Sequence, residues 1–349
     1  MLDYAGAIHI HTDYSFDGNV KMPDVIRSAK KAGLDFIVIT DHFRMDAKRD
    51  GWEGWHDGLL VIVGEEISPR YNHYLAIGIE TPIIAWKKSS DPQEYMDAVR
   101  NQGGIGLIAH PDHTGAPGFG VWAYPWNDWN VKGYTGVSIW DMMTDWQEKL
   151  TSLPRALLAF AFPTRMISGP KQVTLGRWDD LNKTGKVAGF GEIDNHNSRK
   201  TYFGHDFRIF PFDFAFRTIR THILLREKLS ADVQVAKKQV IEAIKSCSLY
   251  VAQEHELGAK GFEFRIYDAE ETAYTGGDFK FKGKPAILEA KIPHQGLLRV
   301  IRDGAVILEQ KKAYANVEIE QAGVYRIEAR RRTIFGYRPW IYSNHIRVI

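Results

Sequence analysis

The sequence predicts an α/β domain followed by a smaller, all-β domain. Through about residue 253, short apolar runs alternate with segments of helical periodicity, a pattern typical of an α/β sheet or barrel. From residue 254, short alternating segments separated by turn residues take their place. A length of 349 residues is also what about two domains require. We therefore predict domains at 1–253 and 254–349.

The composition is that of an ordinary globular protein, with 44% hydrophobic and 25% charged residues. A single cysteine, Cys247, excludes a disulfide framework and a cysteine-based zinc site. The net charge of +2 provides no bulk attraction for long nucleic acid or an anionic membrane. The start of the chain has no signal-peptide pattern, and no apolar run is long enough to span a bilayer. We expect a cytoplasmic protein without a membrane or long nucleic acid as partner.

In the first domain, helices with clear start signals separate the apolar strands. The helix predicted at 22–33 has Pro23 in its first turn and Gly33 at its end. The helix predicted at 91–102 has Asp91 as its N-cap, followed by Pro92. The strands are rich in apolar and β-branched residues, and we place them at 7–10, 36–40, 59–63, 74–78, 105–109, 137–140 and 187–190.

The second domain contains strand patterns without a convincing helix. Its segments alternate in polarity and are separated by turns such as Asp303-Gly304. They lie at 262–267, 286–290, 297–301, 305–308, 317–319 and 323–329. About seven short strands in roughly 95 residues are typical of an antiparallel, immunoglobulin-like sandwich. Only three of the 13 histidines lie here, so we expect the chemistry in the first domain.

The first chemical motif is His9-Ile10-His11, which ends the first predicted strand. Residues i and i+2 of a strand point to the same side, so both imidazoles can reach one metal ion. Asp17, after a turn, can return an oxygen ligand to the same cavity. Two unrelated surface histidines are the alternative.

The next motifs also follow strands. His42 comes after the 36–40 run, with Asp41 able to orient it; a capping aspartate beside a solvated histidine is the alternative. Of the adjacent pair Glu65 and Glu66, only one can face the pocket. We choose Glu66 as the inward, bridging ligand and expect Glu65 to be solvated. His73, beside the 74–78 strand, is the weakest candidate taken alone.

Two later strands complete the pattern. His110 directly follows the 105–109 strand and is a better ligand than His113, which we assign to the pocket wall or to a substrate contact. Asp194 and His196 repeat the i, i+2 spacing after the 187–190 strand. Nine candidate ligands exceed what one ion takes, which implies two or three divalent ions. Nitrogen and oxygen donors without thiolate favour Zn²⁺, Mn²⁺ or Fe²⁺. The candidate metal ligands are His9, His11, Asp17, His42, Glu66, His73, His110, Asp194 and His196.

These motifs, in this order, resemble the PHP (polymerase and histidinol phosphatase) superfamily of metal-dependent phosphoesterases. The resemblance covers about residues 5–253 and matches the nine candidates to the family's ligand positions one by one. It implies a distorted seven-stranded β/α barrel with a multinuclear, often trinuclear, site. Asp17 stands where some members have histidine, Glu192 is part of an altered late motif, and Ser138 replaces a frequent glutamate. The C-terminal segments resemble the sandwich of the carbaryl-hydrolase-like branch.

The resemblance implies a metal-dependent phosphoesterase that uses a metal-bridging hydroxide at a di- or trinuclear site. We expect a small phosphorylated molecule or a short nucleotide as substrate, and Glu66, Asp194 and Arg199 as catalytic residues. The alternative is a metallohydrolase of a carboxylic ester, amide or carbamate at the same site. A non-catalytic module that keeps the ions for structure is a third hypothesis.

Arginines are the expected phosphate-reading residues. Besides Arg199, the candidates are Arg44 and the pair Arg217 and Arg220, although a surface charge is the simpler interpretation of these three. The aromatic loop at 119–129 is interpreted either as a lid over the site or as packing against the second domain. The arginine run at 330–332 favours a solvated hairpin tip over a nucleic-acid contact.

Overall fold

The computed structural model describes residues 1–86, 90–202, 205–283 and 285–349. The side chains of residues 199–202 and 205–207 lie outside this description, so Arg199 is placed by its backbone alone. Within the described ranges, no helix has the length and apolar character needed to cross a bilayer.

Strands and helices are mixed along the chain up to residue 253, as the sequence predicts, with runs of up to four strands or four helices in succession. The strands are β1 (Leu2–Ile10), β2 (Phe36–Ile39), β3 (Gly54–His56), β4 (Leu59–Val63), β5 (Glu65–Ile67), β6 (Tyr74–Ile77), β7 (Ile105–Ile108), β8 (Gly136–Asp141), β9 (Ala188–Glu192), β10 (Arg199–Tyr202), β11 (His205–Arg208), β12 (Ile219–Leu225) and β13 (Leu249–Gln253). The helices are α1 (Met22–Lys31), α2 (Asp46–Arg49), α3 (Pro92–Asn101), α4 (Met142–Gln147), α5 (Leu153–Ala161), α6 (Pro163–Met166), α7 (Gln172–Thr184), α8 (Phe212–Ala215) and α9 (Val233–Lys245), with a 3-10 turn at Pro117–Phe119.

The predicted helix starts are visible in the local geometry. The Asp91 carboxylate accepts a hydrogen bond of 2.8 Å from the backbone N–H of Gln93 and caps α3. Pro23 lies in the first turn of α1, where its missing N–H costs nothing. Every predicted strand of this region overlaps an observed strand.

Two sheets carry the first region. One has the order β3-β4-β2-β1-β12-β13, and β1, β2 and β4 run parallel in it. The other has the order β5-β6-β7-β8-β9, with β7, β8 and β9 parallel. All four residues of β2 are buried because both of its faces are covered. The parallel strands bring their carboxyl ends to one edge of each sheet.

The strand pairing is not closed. Within the described residues, isolated bridges join the two sheets at two seams, Ile10 with Asn195 and His42 with Glu66. At the second seam the chain crosses between sheets at Gly64, where a Cβ would lie 2.2 Å from the carbonyl oxygen of Ala76. The mixed α/β architecture expected from the sequence is therefore present, but a continuous ring of strands is not formed.

The C-terminal region consists of strands, as expected. They are β14 (Glu263–Tyr267), β15 (Thr272–Tyr274), β16 (Asp278–Phe279), β17 (Ala286–Lys291), β18 (Gly296–Arg302), β19 (Ala305–Gln310), β20 (Tyr314–Ile319), β21 (Gly323–Thr333), β22 (Gly336–Ser343) and β23 (Ile346–Val348). A four-stranded sheet, β15-β14-β17-β20, shares one buried apolar cluster with β18, β21 and β22. Leu288 and Ile266 on the first side and Trp340 on the other are fully buried in it.

The first sheet continues across the predicted domain boundary. Strand β13, which ends at residue 253, pairs antiparallel with β22, and Val251 lies opposite Tyr342. Beyond this ladder, the Asn344 side chain bonds both the N–H and the carbonyl of Gly189, at 2.8 and 2.7 Å. The two regions are thus joined by backbone pairing as well as by side chains.

A buried ionic network forms a second connection. Arg326 of β21 makes two hydrogen bonds, of 2.7 and 3.0 Å, to the Asp179 carboxylate of α7. A further bond from Arg326 reaches Glu328, and the His345 ring lies 2.6 Å from Asp179. Burial and these partners make this network a strong structural constraint between α7 and the C-terminal sheet.

The interpretation of residues 330–332 as a solvated hairpin tip is only partly correct. The run lies in β21, just before a hairpin whose exposed tip is formed by Ile334 and Phe335. Arg331 is buried and pairs with Glu256. Successive side chains of a strand point to opposite faces, so one arginine of the run points inward.

Candidate metal centre

The structure brings all nine predicted ligands together in one cluster, at the edge where the parallel strands end. Each lies in one of the strands β1, β2, β5, β7 and β9 or in the segment that follows it. Their donor atoms form four overlapping groups, and within each group the atoms lie within 4.8 Å of one another. The groups are His11, Asp17, His42 and His196; His9, His11 and Glu66; His9, His110 and Asp194; and Glu66, His73 and His110.

Glu66 is the centre of this cluster. It is 1% exposed, and its two carboxylate oxygens are shared among five imidazoles. These oxygens lie 2.8–3.5 Å from ring nitrogens of His9, His11, His42, His73 and His110. A carboxylate surrounded in this way is suited to bridging two cations.

The expectation that Glu65 is solvated was wrong. Its side chain points to the opposite face of β5, as alternation requires, but that face is buried and Glu65 is 0% exposed. One oxygen accepts a 2.7 Å hydrogen bond from the backbone N–H of Ile83. Burial raises the pKa of Glu65 to about 8, so this carboxyl is mostly neutral near pH 7.

Three predicted ligands have left-handed backbone conformations that non-glycine residues rarely adopt. The φ angles are +72° at His9, +25° at His110 and +43° at Asp194. These three residues form one of the four donor groups. Such conformations cost free energy and concentrate at functional sites, so their coincidence in one triad indicates a site that the fold maintains against strain.

The His9-Ile10-His11 motif differs from a regular strand. The register of β1 against β2 shifts between Ile8 and Ile10, at the left-handed His9. Both rings nevertheless face the cluster, with centroids 5.0 Å apart. The Nε2 atoms of His9 and His11 each lie 3.3 Å from the same oxygen of Asp194.

Asp17 is returned to the cluster by a compact loop. The close approach requires Gly18, where a Cβ would lie 1.9 Å from the carbonyl oxygen of Thr12. One Asp17 oxygen accepts from Ser15, and the other lies 3.1 Å from His42 Nε2. It also lies 3.2 Å from the ring of His196.

The prediction that Asp41 orients His42 was wrong, because the partner of Asp41 is Thr12. Its carboxylate accepts hydrogen bonds of 2.6 and 2.8 Å from the backbone N–H and hydroxyl of Thr12. It therefore holds the start of the Asp17 loop instead of orienting His42. The Nδ1 of His42 lies 2.7 Å from the Ser68 hydroxyl and 2.9 Å from Glu66.

Glu192 supports two of the predicted ligands from behind. One oxygen lies 2.7 Å from His9 Nδ1, and the other accepts a 2.6 Å hydrogen bond from the backbone N–H of His110. Glu192 is 0% exposed. With Nδ1 donating to this carboxylate, Nε2 of His9 presents its lone pair to the cluster.

The donor set fits divalent cations. Buried ring nitrogens of His9, His11 and His73, and one oxygen of Glu66, make no hydrogen bond of normal geometry with another described group. Leaving such atoms unpaired in a protein interior is costly. Because the same atoms converge on common points, shared cations account for them better than isolated hydrogen bonds do.

The charges of the cluster are strongly coupled. Burial alone would lower the pKa of His42, but Glu66 and Asp17 outweigh it and raise this pKa to about 10. Burial lowers the pKa of His11 to about 3, and the neighbouring His196 and His42 add to the shift. Burial opposes ionisation of Glu66, yet the adjacent imidazoles hold its pKa well below the usual range.

A polar cavity borders the cluster beside His110. Its lining includes His113, Ser138, Asp141 and Thr144, and the buried hydroxyls of Ser138 and Thr144 make no hydrogen bond with another described group. Burial, with repulsion from Glu192 and Asp194, raises the pKa of Asp141 to about 7. The cavity therefore combines uncharged hydroxyls with acidic groups.

The aromatic loop at 119–129 lies beside the cluster, which favours the interpretation as a lid. The Tyr124 ring is 5.2 Å from the His73 ring and 5.6 Å from the His113 ring. Arg70 stacks on Tyr124, 5.1 Å from its centroid, and donates to the Ala123 carbonyl. Sequence reasoning missed Arg70, although its place four residues after Glu66 could have indicated it.

The predicted phosphate-reading arginines have different environments. Arg220 is structural, because it donates to Glu254 and to the carbonyls of Phe216 and Ala32. Arg44 lines an open groove beside His42. The backbone of Arg199 begins β10, five residues after Asp194, and its side chain lies outside the described residues.

Residues 7–119 match the PHP domain family model. The chain carries a PHP domain. The match spans the segment that supplies His9, His11, Asp17, His42, Glu66, His73 and His110. The PHP domain and the donor groups together place a candidate metal centre in the first region.

One curated relative of the PHP domain region is an uncharacterized protein of Methanocaldococcus jannaschii. It is 30% identical over 118 residues, which cover 30% of this chain and 66% of that protein. This relative carries no stated activity.

Two solved structures align with the chain at low similarity. One is a two-domain protein from Bacteroides vulgatus containing a predicted PHP-like metal-dependent phosphoesterase, with 15% identity, a TM-score of 0.44, and coverage of 99% of this chain and 95% of that chain. The other is an amidohydrolase from Chromobacterium violaceum, with 13% identity, a TM-score of 0.30, and coverage of 59% and 92%. At such low identities and TM-scores, the two structures say nothing about the activity of this protein.

Proposed function

We propose that this protein is a metal-dependent phosphoesterase acting on a small phosphorylated molecule or short nucleotide. The observation that supports it is the convergence of nine histidine and carboxylate donors at one edge of a PHP domain. Two or three zinc, manganese or iron ions are the proposed cofactors, because the donors are nitrogen and oxygen without thiolate. Bound ions would lower the pKa of a water and neutralise charge on the phosphoryl oxygens.

The protein's own groups prepare this site in distinct ways. Glu192 sets the tautomer of His9, so that Nε2 points toward the cluster. Glu66, shared by five imidazoles, belongs to two of the four donor groups and links them. The left-handed backbone at Asp194 turns its carboxylate toward His9 and His11. We assign Glu66 and Asp194 to catalysis on these contacts.

Substrate binding is assigned to the rim of the cluster. Tyr124 and Arg70 cover the His73 side, and Arg44 lies on the His42 side. Arg199 is proposed as a phosphate-binding residue because it closely follows Asp194 and His196 in the chain. A guanidinium complements a phosphate with paired hydrogen bonds.

A second candidate is a hydrolase of a carboxylic ester, amide or carbamate. The cavity beside His110 favours it, because the two lysines in its lining, Lys149 and Lys171, already pair with Asp145 and Glu148 and leave little positive charge to attract an anionic substrate group. Its lining Ser138 also stands where the family resemblance has a glutamate. Membership of the carbaryl-hydrolase-like branch is proposed together with this second candidate, because that branch leaves non-phosphate substrates open.

The remaining structural assignments belong to this proposal. Seven of the strands in the two sheets of the first region would form the distorted barrel that the family resemblance implies, open at its two seams. The facing C-terminal sheets would form a sandwich at 254–349 beside the barrel at 1–253. A cytoplasmic location is proposed with them.

The first test compares substrates on metal-reconstituted protein. Protein loaded with Mn²⁺ or Zn²⁺ is assayed with matched chromogenic phosphomonoester, phosphodiester and carboxyl ester, with a chelated sample as control. Chelator-sensitive phosphate release supports the phosphoesterase. Turnover of the carboxyl ester alone moves the assignment to the second candidate, and bound metal without any turnover supports a non-catalytic module.

Metal-ligand variants belong in the same experiment. Asp194→Asn and His9→Ala should lose bound metal and activity together, because both residues contribute to the same donor group. Elemental analysis of the purified variants measures the metal. Full activity in either variant would contradict the site assignment.

A further inference from the structure

An open groove of about 870 Å³ lies beside the cluster, and two exposed aromatic rings and His42 line it. We propose that this groove binds a planar aromatic or heterocyclic ring on the alcohol side of a phosphate ester. The proposal rests on the proposed phosphoesterase function and specifies its substrate class. The groove-lining residues used below are Phe16, His42, Phe43, Arg44 and Trp86.

Phe16 places a bare aromatic face at the edge of the metal centre. Its ring stacks on the His42 imidazole, with centroids 4.9 Å apart and planes inclined by 22°. The side chain is nevertheless 79% exposed, so the face away from His42 is open. Aromatic side chains exposed in a cleft beside a reactive centre are typical ligand contacts.

Trp86 supplies a second aromatic surface on the same groove. It is 67% exposed and stacks on Phe43 at 5.0 Å, with planes inclined by 19°. The backbone N–H of Phe43 donates to the carbonyl of Glu66 over 3.0 Å. The indole is therefore supported by the segment that joins two of the proposed metal ligands, His42 and Glu66.

The charges of the groove favour a ring over a run of phosphates. The guanidiniums of Arg44 and Arg49 both pair with Asp46. The ammonium of Lys48 lies 2.7 Å from Glu80. Because the basic side chains have acidic partners, the groove has little net attraction for a polyanion. Its distinguishing feature is aromatic surface, on which a flat ring gains stacking energy.

The position of the groove determines which part of the substrate enters it. The ions held by the proposed ligands would bind the phosphoryl group, and His42 is both a proposed ligand and the ring on which Phe16 stacks. A ring bound in the groove therefore belongs to the alcohol that is the leaving group of the phosphate ester. A nucleoside or another aryl-bearing alcohol fits this description, whereas a simple sugar phosphate leaves the aromatic faces uncovered.

The test uses two substrates that differ only in the ring. Adenosine 5′-monophosphate and ribose 5-phosphate share the same primary phosphate ester, so the ratio of their kcat/KM values isolates the contribution of the base. We expect the wild-type protein to prefer the nucleotide. Phe16→Ala and Trp86→Ala should each lower the ratio by about tenfold, the loss typical of one stacking contact.

Two controls separate stacking from general damage. Phe16→Tyr keeps an aromatic face and should retain most of the preference. Phe335→Ala removes a ring that is 76% exposed at the hairpin tip of β21 and β22, and it should leave the ratio at the wild-type value. Equal kcat/KM values for the two substrates in the wild-type protein, or a ratio unmoved by both alanine variants, would overturn the proposal.

Failure of the proposed function is recognised separately. If neither phosphate ester is hydrolysed by the metal-loaded protein, the phosphoesterase assignment fails. Calorimetric titration of the chelated protein with adenosine then tests the groove alone. Binding that is lost in Phe16→Ala and retained in Phe335→Ala supports the ring subsite, and absence of binding to the wild-type protein overturns it.

Discussion

The carboxylate of Glu192 joins His9 and His110, since it lies 2.7 Å from the Nδ1 of the first and accepts a 2.6 Å hydrogen bond from the backbone N–H of the second. Both histidines belong to the donor group that also contains Asp194. One buried carboxylate therefore fixes a ring orientation and a strained backbone position of the same group. Such supporting contacts tune metal affinity without touching the metal.

Glu192→Gln tests this contact. The amide keeps the size of the side chain, but its NH₂ group opposes one of the two donors that the carboxylate accepts. Metal affinity should fall by about 10–100-fold, while the fold is retained. Competition with a chromophoric chelator measures the affinity, and circular dichroism monitors the fold. An unchanged dissociation constant would show that Glu192 does not act through His9.

The neighbours Glu65 and Glu66 provide a matched pair of substitutions. Glu66→Gln should abolish metal binding at the shared groups, because the amide cannot provide the charge that five imidazoles surround. Glu65→Gln should change metal content little, because this carboxyl faces away and its pKa is raised to about 8. Elemental analysis distinguishes them, and similar losses in both variants would contradict the assignment.

His222 predicts a pH dependence of stability. Its ring lies between the carboxylates of Asp3 and Glu254, at 2.7 and 3.2 Å. Burial opposes its charge, but these partners raise the pKa of His222 from 6.5 to about 9. The stabilisation is complete below about pH 6.5, where the unfolded histidine is also protonated, and is lost as the pH rises through about 9.

His222→Gln should therefore be most destabilising at low pH, by up to about 3 kcal/mol, and least above pH 9. Urea unfolding of wild type and variant at several pH values from 6 to 10 gives the difference in unfolding free energy. A difference that is constant across this range would indicate that the ring is neutral in the folded protein.

Arg326→Ala should weaken the connection between α7 and the C-terminal sheet. The substitution leaves the buried Asp179 and Glu328 without their guanidinium, a type of loss that costs about 3–5 kcal/mol. Lys183→Ala, which removes the exposed partner of Asp180, should have little effect on stability. Chemical unfolding measures both, and equal effects would contradict the importance of burial here.

Arg199→Ala tests the phosphate-binding assignment. It should raise KM for a phosphate ester much more than it changes metal content, because a guanidinium pairs with phosphate and is not a metal ligand. Arg220→Ala is the matched control: it removes structural bonds to Glu254 and two carbonyls, so it should lower stability with little change in KM. Unchanged kinetics in Arg199→Ala would remove this residue from the site.

Local patterns made much of the site predictable. The strand ends could be located from apolar runs followed by polar residues, and the helix at α3 from its Asp91 cap. Histidines and carboxylates that follow such strands must meet at one edge, because parallel strands share their direction. This explains the candidates that follow β1, β2, β7 and β9, whereas Glu66 and His73 join the same cluster from the antiparallel pair β5 and β6.

Other features depended on contacts that alternation does not reveal. The alternation of the strand correctly placed Glu65 and Glu66 on opposite faces, but it did not reveal that both faces are buried. A strand has the same alternation of side chains whether a face is covered or solvated. Asp41 could be expected near His42 from sequence proximity, yet its carboxylate holds Thr12. The two seams of the sheet likewise arise where the backbone leaves the ladder, at positions such as His9 and Gly64.

The sequence by itself determined the kinds of donor available, their places at strand ends, and the change from α/β to all-β texture near residue 254. The tertiary structure decided which donors share a point in space, which carboxylate supports His9, and how β13 joins the C-terminal strands. The physical reason is one of range. Periodicity follows from neighbouring residues, whereas the contact between His9 and Glu192 spans 183 positions and exists only once the sheets are packed.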